Sequence, residues 1–195
     1  MQSILFVDGE NFIKKIKAVF KEVKQPMSIH AYNFDGLFKK VLKDVKIDRK
    51  IFYLARLKEH NETKEKSKQL IEAQRLLKTH LEKQGFQIVV AGRVRGHTEE
   101  DNNGKKTLIF KEKGVDVRIA VDMVSLACDK ELETAIIGSS DSDLQPAIAE
   151  LTKRKVNRIY LGFEMMPNKG LMYTANHSII IRNSEVLEFV KKTLI

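Results

Sequence analysis

Aspartates stand at the points where this chain passes from an apolar run into a helical pattern, and carboxylates in such places do metal chemistry. Ile4-Leu5-Phe6-Val7 runs into Asp8, with Glu10 and Asn11 just after it. Ala135-Ile136-Ile137 stops at Gly138 and is followed by Asp141 and Asp143. The helical pattern opening after Gly114 carries Asp116 and, six residues on, Asp122. In open parallel α/β sheets ligands bind in the crevice outside the carboxyl ends of the strands, which is where these acids would gather. Carboxylates a few ångströms apart repel, and some are forced to hold protons unless a cation joins them. No pair of His at metal spacing and no Cys cluster accompanies them, so zinc is disfavoured and a hard, oxygen-seeking ion, Mg²⁺ or Mn²⁺, is favoured. Such an ion takes few carboxylates directly and leaves positions for water and substrate phosphate. Two of them can activate water and steady the leaving oxygen in phosphodiester cleavage.

The members of this set differ in weight. Asp143 also reads as an early-helix acid favoured by the helix dipole, and Glu10 reads as an acid of that kind. Asp122 lies well round the helix from Asp116, so both face one cleft only if Asp116 sits at or before the first turn. Acids at strand ends also occur in receiver-like domains and nucleotide binders, so spacing alone leaves those readings open.

The chain of 195 residues has a formal charge of +9, from 35 Lys and Arg against 26 Asp and Glu. With several acids bunched at the site, the remaining surface is more basic than the total, which favours a polyanion such as nucleic acid. Lys113, Arg93, Arg95, Lys105, Lys106, Arg56 and Lys58 are the candidates to hold its phosphates. No run of eighteen apolar residues and no cleavable leader pattern is present, so a cytoplasmic protein with no membrane partner is expected. The single cysteine, Cys128, reads as a small buried core residue.

The elements that must position these groups follow from periodicity. Residues 3–7 read as a central parallel strand. Helical spacing then runs from Asn11 to Val23, and a second helix is predicted from about Asp35 to Val45. Residues 49–57 form a strand, and 61–84 a long amphipathic helix whose first half lacks an apolar face, making it a solvated extension or a mobile lid. Residues 86–91 form the third strand. Between Gly92 and Gly114 the pattern breaks into a hairpin or ordered loop with Asn103-Gly104 at its tip. A helix from Gly114 precedes the strand that ends at Gly138. A helix over about 143–154, a strand over 156–161, an apolar run at Ile179–Ile181 and a helix over 184–192 complete the chain. Strands alternating with helices make a single α/β domain over 1–195 with a mostly parallel sheet.

Three blocks, ILFVDGENF at 4–12, KGVDVRIAVDMVSLA at 113–127 and AIIGSSDSDLQPAIAEL at 135–151, together resemble the NYN domain, of the LabA-like branch. The resemblance runs in family order over essentially the whole chain. It implies a PIN-like three-layer fold, a mostly parallel sheet flanked by helices, with a divalent-metal-dependent RNase site and single-stranded RNA as partner. Asp8 and Asn11 match the first motif, Lys113, Asp116 and Asp122 the second, and Asp141 and Asp143 the third. The implied ligands of Mg²⁺ or Mn²⁺ are Asp8, Asp116 and Asp141, supported by Asp122 and Asp143, with Asn11 orienting a ligand, water or substrate. Where such domains carry SGDSD this chain has Gly138-Ser139-Ser140, which moves the small residues and keeps both acids. The expected activity is endonucleolytic hydrolysis of RNA. The alternatives are a catalytically idle RNA-binding module and, behind it, a Toprim-like enzyme using Glu10. A homodimer is possible through the apolar C-terminal segment.

Overall fold

The computed structural model describes residues 1–58, 64–100 and 106–190. In chain order the strands are β1 (Gln2–Asp8), β2 (Arg49–Ala55), β3 (Gln87–Ala91), β4 (Arg93–Glu100), β5 (Lys106–Lys113), β6 (Leu132–Gly138), β7 (Asn157–Phe163) and β8 (His177–Ile181). The helices are α1 (Gly9–Glu22), α2 (Phe34–Val41), α3 (Lys64–Lys83), α4 (Val115–Cys128), α5 (Gln145–Lys153), α6 (Lys169–Thr174) and α7 (Asn183–Glu188).

Six strands form one sheet in the order β3-β2-β1-β6-β7-β8, and every pairing in it is parallel. Because a central parallel strand is covered on both faces, β1 has to be apolar at consecutive positions, and Ile4 to Val7 are all fully buried. Alternate residues then feed two cores. Leu5 and Val7 point into one with Phe12 and Ile16 of α1, Phe38 of α2 and Leu81 of α3. Ile4 and Phe6 point into the other with Ile119 and Met123 of α4 and Ile148 of α5. The first core is stitched by aromatic edges, with Phe12 against Phe163 at 4.8 Å and Phe34 against Phe52 at 5.5 Å between ring centres. This is the α/β three-layer arrangement expected.

Differences from the periodicity reading have local causes. The second helix stops at Val41, because Leu42 leaves helical geometry and the chain closes a turn from Val45 N–H to Leu42 O. The helix expected over about 143–154 does not begin at Asp143: a 3-10 turn over Ser142–Leu144 precedes α5. On α3 only Ser67, Leu77 and Leu81 are buried, while Leu70 and Leu76 are 39% and 54% exposed. Leu76 lies within the buried span of the helix but about 100° round it from buried Leu77, off the stripe. Cys128 is exposed, not buried. The inner stripe of α4 runs every fourth residue through Val115, Ile119, Met123 and Ala127, and the next residue is turned by about 100° off it. No helix among the described residues is long and apolar enough to cross a membrane.

From Gly92 the chain leaves the main sheet as an antiparallel hairpin, β4 with β5, in register from Arg93 opposite Lys113 to Glu100 opposite Lys106. Its Asn103-Gly104 tip lies outside the described residues.

One polar cluster ties the first core's outer wall together. Lys50 Nζ donates to Asp35 and, at 3.0 Å, to Gln84 O, and lies 4.7 Å from the centre of the Phe86 ring. Burial would raise the Asp35 pKa, but the hydrogen bonds and charges of Lys39 and Lys50 outweigh it and hold it below the usual value. A carboxyl with a depressed folded-state pKa contributes stability that is present above its unfolded pKa, near 3.9, and is lost as pH falls through the folded value. Lys50→Met, which keeps the stem and removes the charge, is expected to cost about 1–2 kcal/mol at neutral pH. The loss should shrink below about pH 4, as urea unfolding across pH would show.

Candidate active site

The site is built where β1 and β6 end side by side. Asp8 is the last residue of β1 and the cap of α1: its Oδ1 accepts the Asn11 N–H at 3.1 Å. Capping an N-terminus satisfies an otherwise orphaned donor and fixes the carboxylate's direction. Its Oδ2 accepts the hydroxyl of Ser139 at 3.2 Å. Ser139 is itself buried, and its Oγ accepts the N–H of Asp141 at 3.1 Å. One hydroxyl therefore joins the Asp8 carboxylate to the backbone of Asp141. Asp141 caps the 3-10 turn, taking the Asp143 N–H on Oδ1 at 3.0 Å, which leaves Asp143 exposed at the rim.

The turn is clamped from two further sides. Asn11 Oδ1 accepts the Ser140 N–H at 3.1 Å, and Asn168 Nδ2 donates to Ser140 O at 3.0 Å. Asn168 is fixed in turn by capping α6 through the Leu171 N–H and by donating its own N–H to the buried Tyr160 hydroxyl at 2.9 Å. Asn11 thus positions the turn that carries Asp141.

Asp8 is 7% exposed. Burial pushes its pKa up, the Asn11 N–H and Ser139 hydroxyl counter this, and the charges of Asp141 and Glu10 push it up again. A buried carboxylate facing a second one is a pair that a cation relieves. Among the described residues no group of three or more His, Cys, Asp or Glu is gathered closely enough to hold a metal. A hydrated Mg²⁺-type ion needs only one or two protein carboxylates, so the Asp8–Asp141 pair fits such an ion.

The other candidates lie around this pair. Asp116 is half-buried in the first turn of α4, which packs against β1, β2 and the 3-10 turn. Asp122 is engaged elsewhere: Oδ2 accepts the Tyr53 hydroxyl at 2.9 Å and Oδ1 the Arg118 Nε–H at 2.7 Å. Burial, then the Asp122 charge and hydrogen bond, push the Tyr53 phenol up. Glu10 pairs with Lys14 along α1 at 2.6 Å, as a helix-start acid does.

On the basic side, Arg93 and Lys113 face one another at the base of the hairpin, and the Val94 N–H donates to Arg56 O. Arg56, Lys58, Arg93 and Lys113 are exposed. Arg95 and Lys106 lie on β4 and β5 with side chains outside the described set, and Lys105 is outside the described residues.

Sequence reasoning missed three contributors. Ser139 was visible inside the 135–151 block, as a hydroxyl two residues before an acid. Tyr53 lies inside β2 and carried no local signal, its partner Asp122 being 69 residues away. Asn168 had no local signal, since its partner Ser140 is 28 residues away.

The fold is similar to that of a solved structure, a protein of unknown function, VPA0982, from Vibrio parahaemolyticus RIMD 2210633, with a TM-score of 0.53 and 14% identity over 92% of this chain and 93% of that one. No curated protein matches the chain. The NYN domain model matches residues 3–182, spanning β1 through the end of the sheet and with it Asp8, Asn11, Asp116, Asp141 and Asp143. The chain therefore belongs to the NYN domain family, whose PIN-like fold and nuclease class it shares.

Proposed function

We propose that the protein is a divalent-metal-dependent ribonuclease of the LabA-like branch that cuts RNA endonucleolytically by hydrolysis. The observation that supports this best is the buried Asp8 carboxylate joined to Asp141 through the Ser139 hydroxyl at the carboxyl ends of two adjacent strands. Asp8 and Asp141 would hold Mg²⁺ or Mn²⁺, with Asp116 contributing from the start of α4 and Asp143 from the rim. Bound there, the ion supplies positive charge for the scissile phosphate and lowers the pKa of water. Asn11 keeps the Ser140–Asp141 turn in place by its bond to the Ser140 N–H. Arg56, Lys58, Arg93 and Lys113, together with Arg95, Lys105 and Lys106, hold backbone phosphates of single-stranded RNA without reading bases. Asp122, with both oxygens taken by Tyr53 and Arg118, acts as a support in this reading.

The test uses labelled single-stranded RNA with Mn²⁺ and with EDTA. Cleavage is expected with Mn²⁺ and none with EDTA. Asp141→Asn should lower the rate at least about a hundredfold, roughly 2.7 kcal/mol of barrier, with an unchanged circular dichroism spectrum, because Asn caps as Asp does. RNA binding without metal-dependent cleavage would overturn the enzyme in favour of an RNA-binding module.

A further inference from the structure

Tyr160 stands at the middle of β7 and is wholly buried in the core beneath α4 and α5, yet its hydroxyl reaches the carboxyl end of the sheet. Gly162 makes that reach possible. A Cβ at Gly162 would stand 2.6 Å from both Cε1 and the hydroxyl oxygen of Tyr160 and 2.7 Å from Cζ. Residues two apart share one face of a strand, so any side chain at 162 would take the place of the ring. A rigid ring with no exposed surface cannot swing aside in a close-packed core.

At the end of this reach the Tyr160 hydroxyl accepts the Asn168 N–H at 2.9 Å. The two amide atoms of Asn168 then face different partners. Oδ1 accepts the Leu171 N–H at 3.1 Å, the cap of α6, and so fixes which end of the amide is left to donate. That end, Nδ2, donates to Ser140 O at 3.0 Å. The acceptor belongs to the peptide joining Ser140 to Asp141, whose N–H donates to Ser139 Oγ at 3.1 Å. A peptide is planar, so holding its oxygen on one side and its N–H on the other fixes its rotation and the Asp141 Cα with it. Ser139 Oγ is also the group that bonds Asp8. We infer that Asn168, held by the Tyr160 hydroxyl, is a positioning residue that keeps Asp141 beside Asp8 for the cation. The inference rests on the metal-site reading above. Neither residue needs to touch the cation, because each acts through the Ser140–Asp141 peptide.

Two measurements on the full chain test it. Amide hydrogen exchange without metal reads the turn, and titration with Mn²⁺, followed by the electron paramagnetic resonance of the free ion, reads the site. Asn168→Ser keeps an oxygen that caps α6, since Ser caps as well as Asn, and removes the donor to Ser140 O. The exchange rate of the Asp141 N–H and the Mn²⁺ dissociation constant should each rise at least about tenfold, roughly 1.4 kcal/mol. Tyr160→Phe should move both in the same direction by less. Added to Asn168→Ser it should move neither further, because the hydroxyl acts through Asn168. A turn that exchanges as in wild type in Asn168→Ser overturns the inference, as do additive effects of the two changes on the Mn²⁺ constant. A lower melting temperature with unchanged Mn²⁺ affinity assigns both residues to the packing of α6 and overturns it too, leaving the metal site standing. A wild-type protein that binds no Mn²⁺ overturns the metal-site reading itself, and the inference with it.

Discussion

Asp8→Asn should lower RNA cleavage at least about a hundredfold, close to 3 kcal/mol of transition-state stabilisation, while the protein melts at the same temperature as wild type or higher. The two effects separate because the carboxylate is doing two jobs. As a cap it accepts one N–H, from Asn11, and an Asn Oδ1 accepts that bond equally well. The Asn amide can then donate to Ser139 Oγ, which has a lone pair left after accepting from Asp141 N–H. What the variant cannot do is carry negative charge toward a cation. Its stability should differ from wild type in a pH-dependent way. Burial raises the Asp8 pKa, so its folded-state preference is for the protonated form. A group shifted in that direction contributes stability that is fully present below the unfolded pKa and is lost as pH rises through the folded value. Wild type should therefore lose stability across that window and the Asn variant should not. Melting curves of both proteins from acid to neutral pH, without metal, would show the gap open as pH rises. A variant with lower stability at neutral pH would mean that the carboxylate is structural.

Gly9→Ala is the change with the largest expected effect on the fold. A Cβ at Gly9 would stand 2.4 Å from Tyr53 O, 2.6 Å from the Phe52 ring and 2.8 Å from Leu54 Cδ2. The carbonyl cannot move aside, because Tyr53 is locked in β2 in register with Asp8 itself. The helix start has to lift off the sheet, and with it go the Asp8 cap and the Asn11 contact to Ser140. Overpacking of this kind costs about 3 kcal/mol, which for a chain of this size lowers the melting temperature by roughly 6–12 °C. Gly138→Ala is the control at the neighbouring strand end. Its Cβ would meet only Phe12 at 3.5 Å and Phe6 O at 3.6 Å, ordinary contacts. Scanning calorimetry of the two variants should show a large drop for the first and a small one for the second.

The contrast between these glycines also marks how far the residues alone carry the structure. Strands β1 and β6 were legible because burial on both faces of a parallel sheet forces unbroken apolar runs, and the acid after each run fell beyond the strand's carboxyl end or at it. The helices with one buried stripe, α1 and the inner face of α4, were legible for the same periodic reason. Helix ends were not: where α2 stops depends on a turn at Leu42, and where α5 starts depends on Asp141 capping a 3-10 turn. Exposure was not legible beside a buried stripe: Leu76 lies one step before buried Leu77, and Cys128 one step after buried Ala127.

In the site, Asp8 and Asn11 could be read as candidates, but not the link between them and the Asp141 turn. That link runs from the Ser139 hydroxyl to Asp8 and from the Ser140 N–H to Asn11, contacts that span 131 and 129 residues of sequence. Asp122 shows the opposite limit. A motif position gives the residue type, whereas the donors around it, Tyr53 and Arg118, come from tertiary packing and from the next turn of its own helix.

The central claim is that Asp8 and Asp141 together hold a divalent cation. A crystal soaked in Mn²⁺ and measured at the manganese absorption edge tests it most directly. An anomalous peak in contact with oxygens of Asp8 and Asp141, lost in Asp141→Asn, is the result expected. Manganese bound only elsewhere, or none in a crystal whose Asp8 carboxylate remains bonded to Ser139 and the Asn11 N–H, would contradict it.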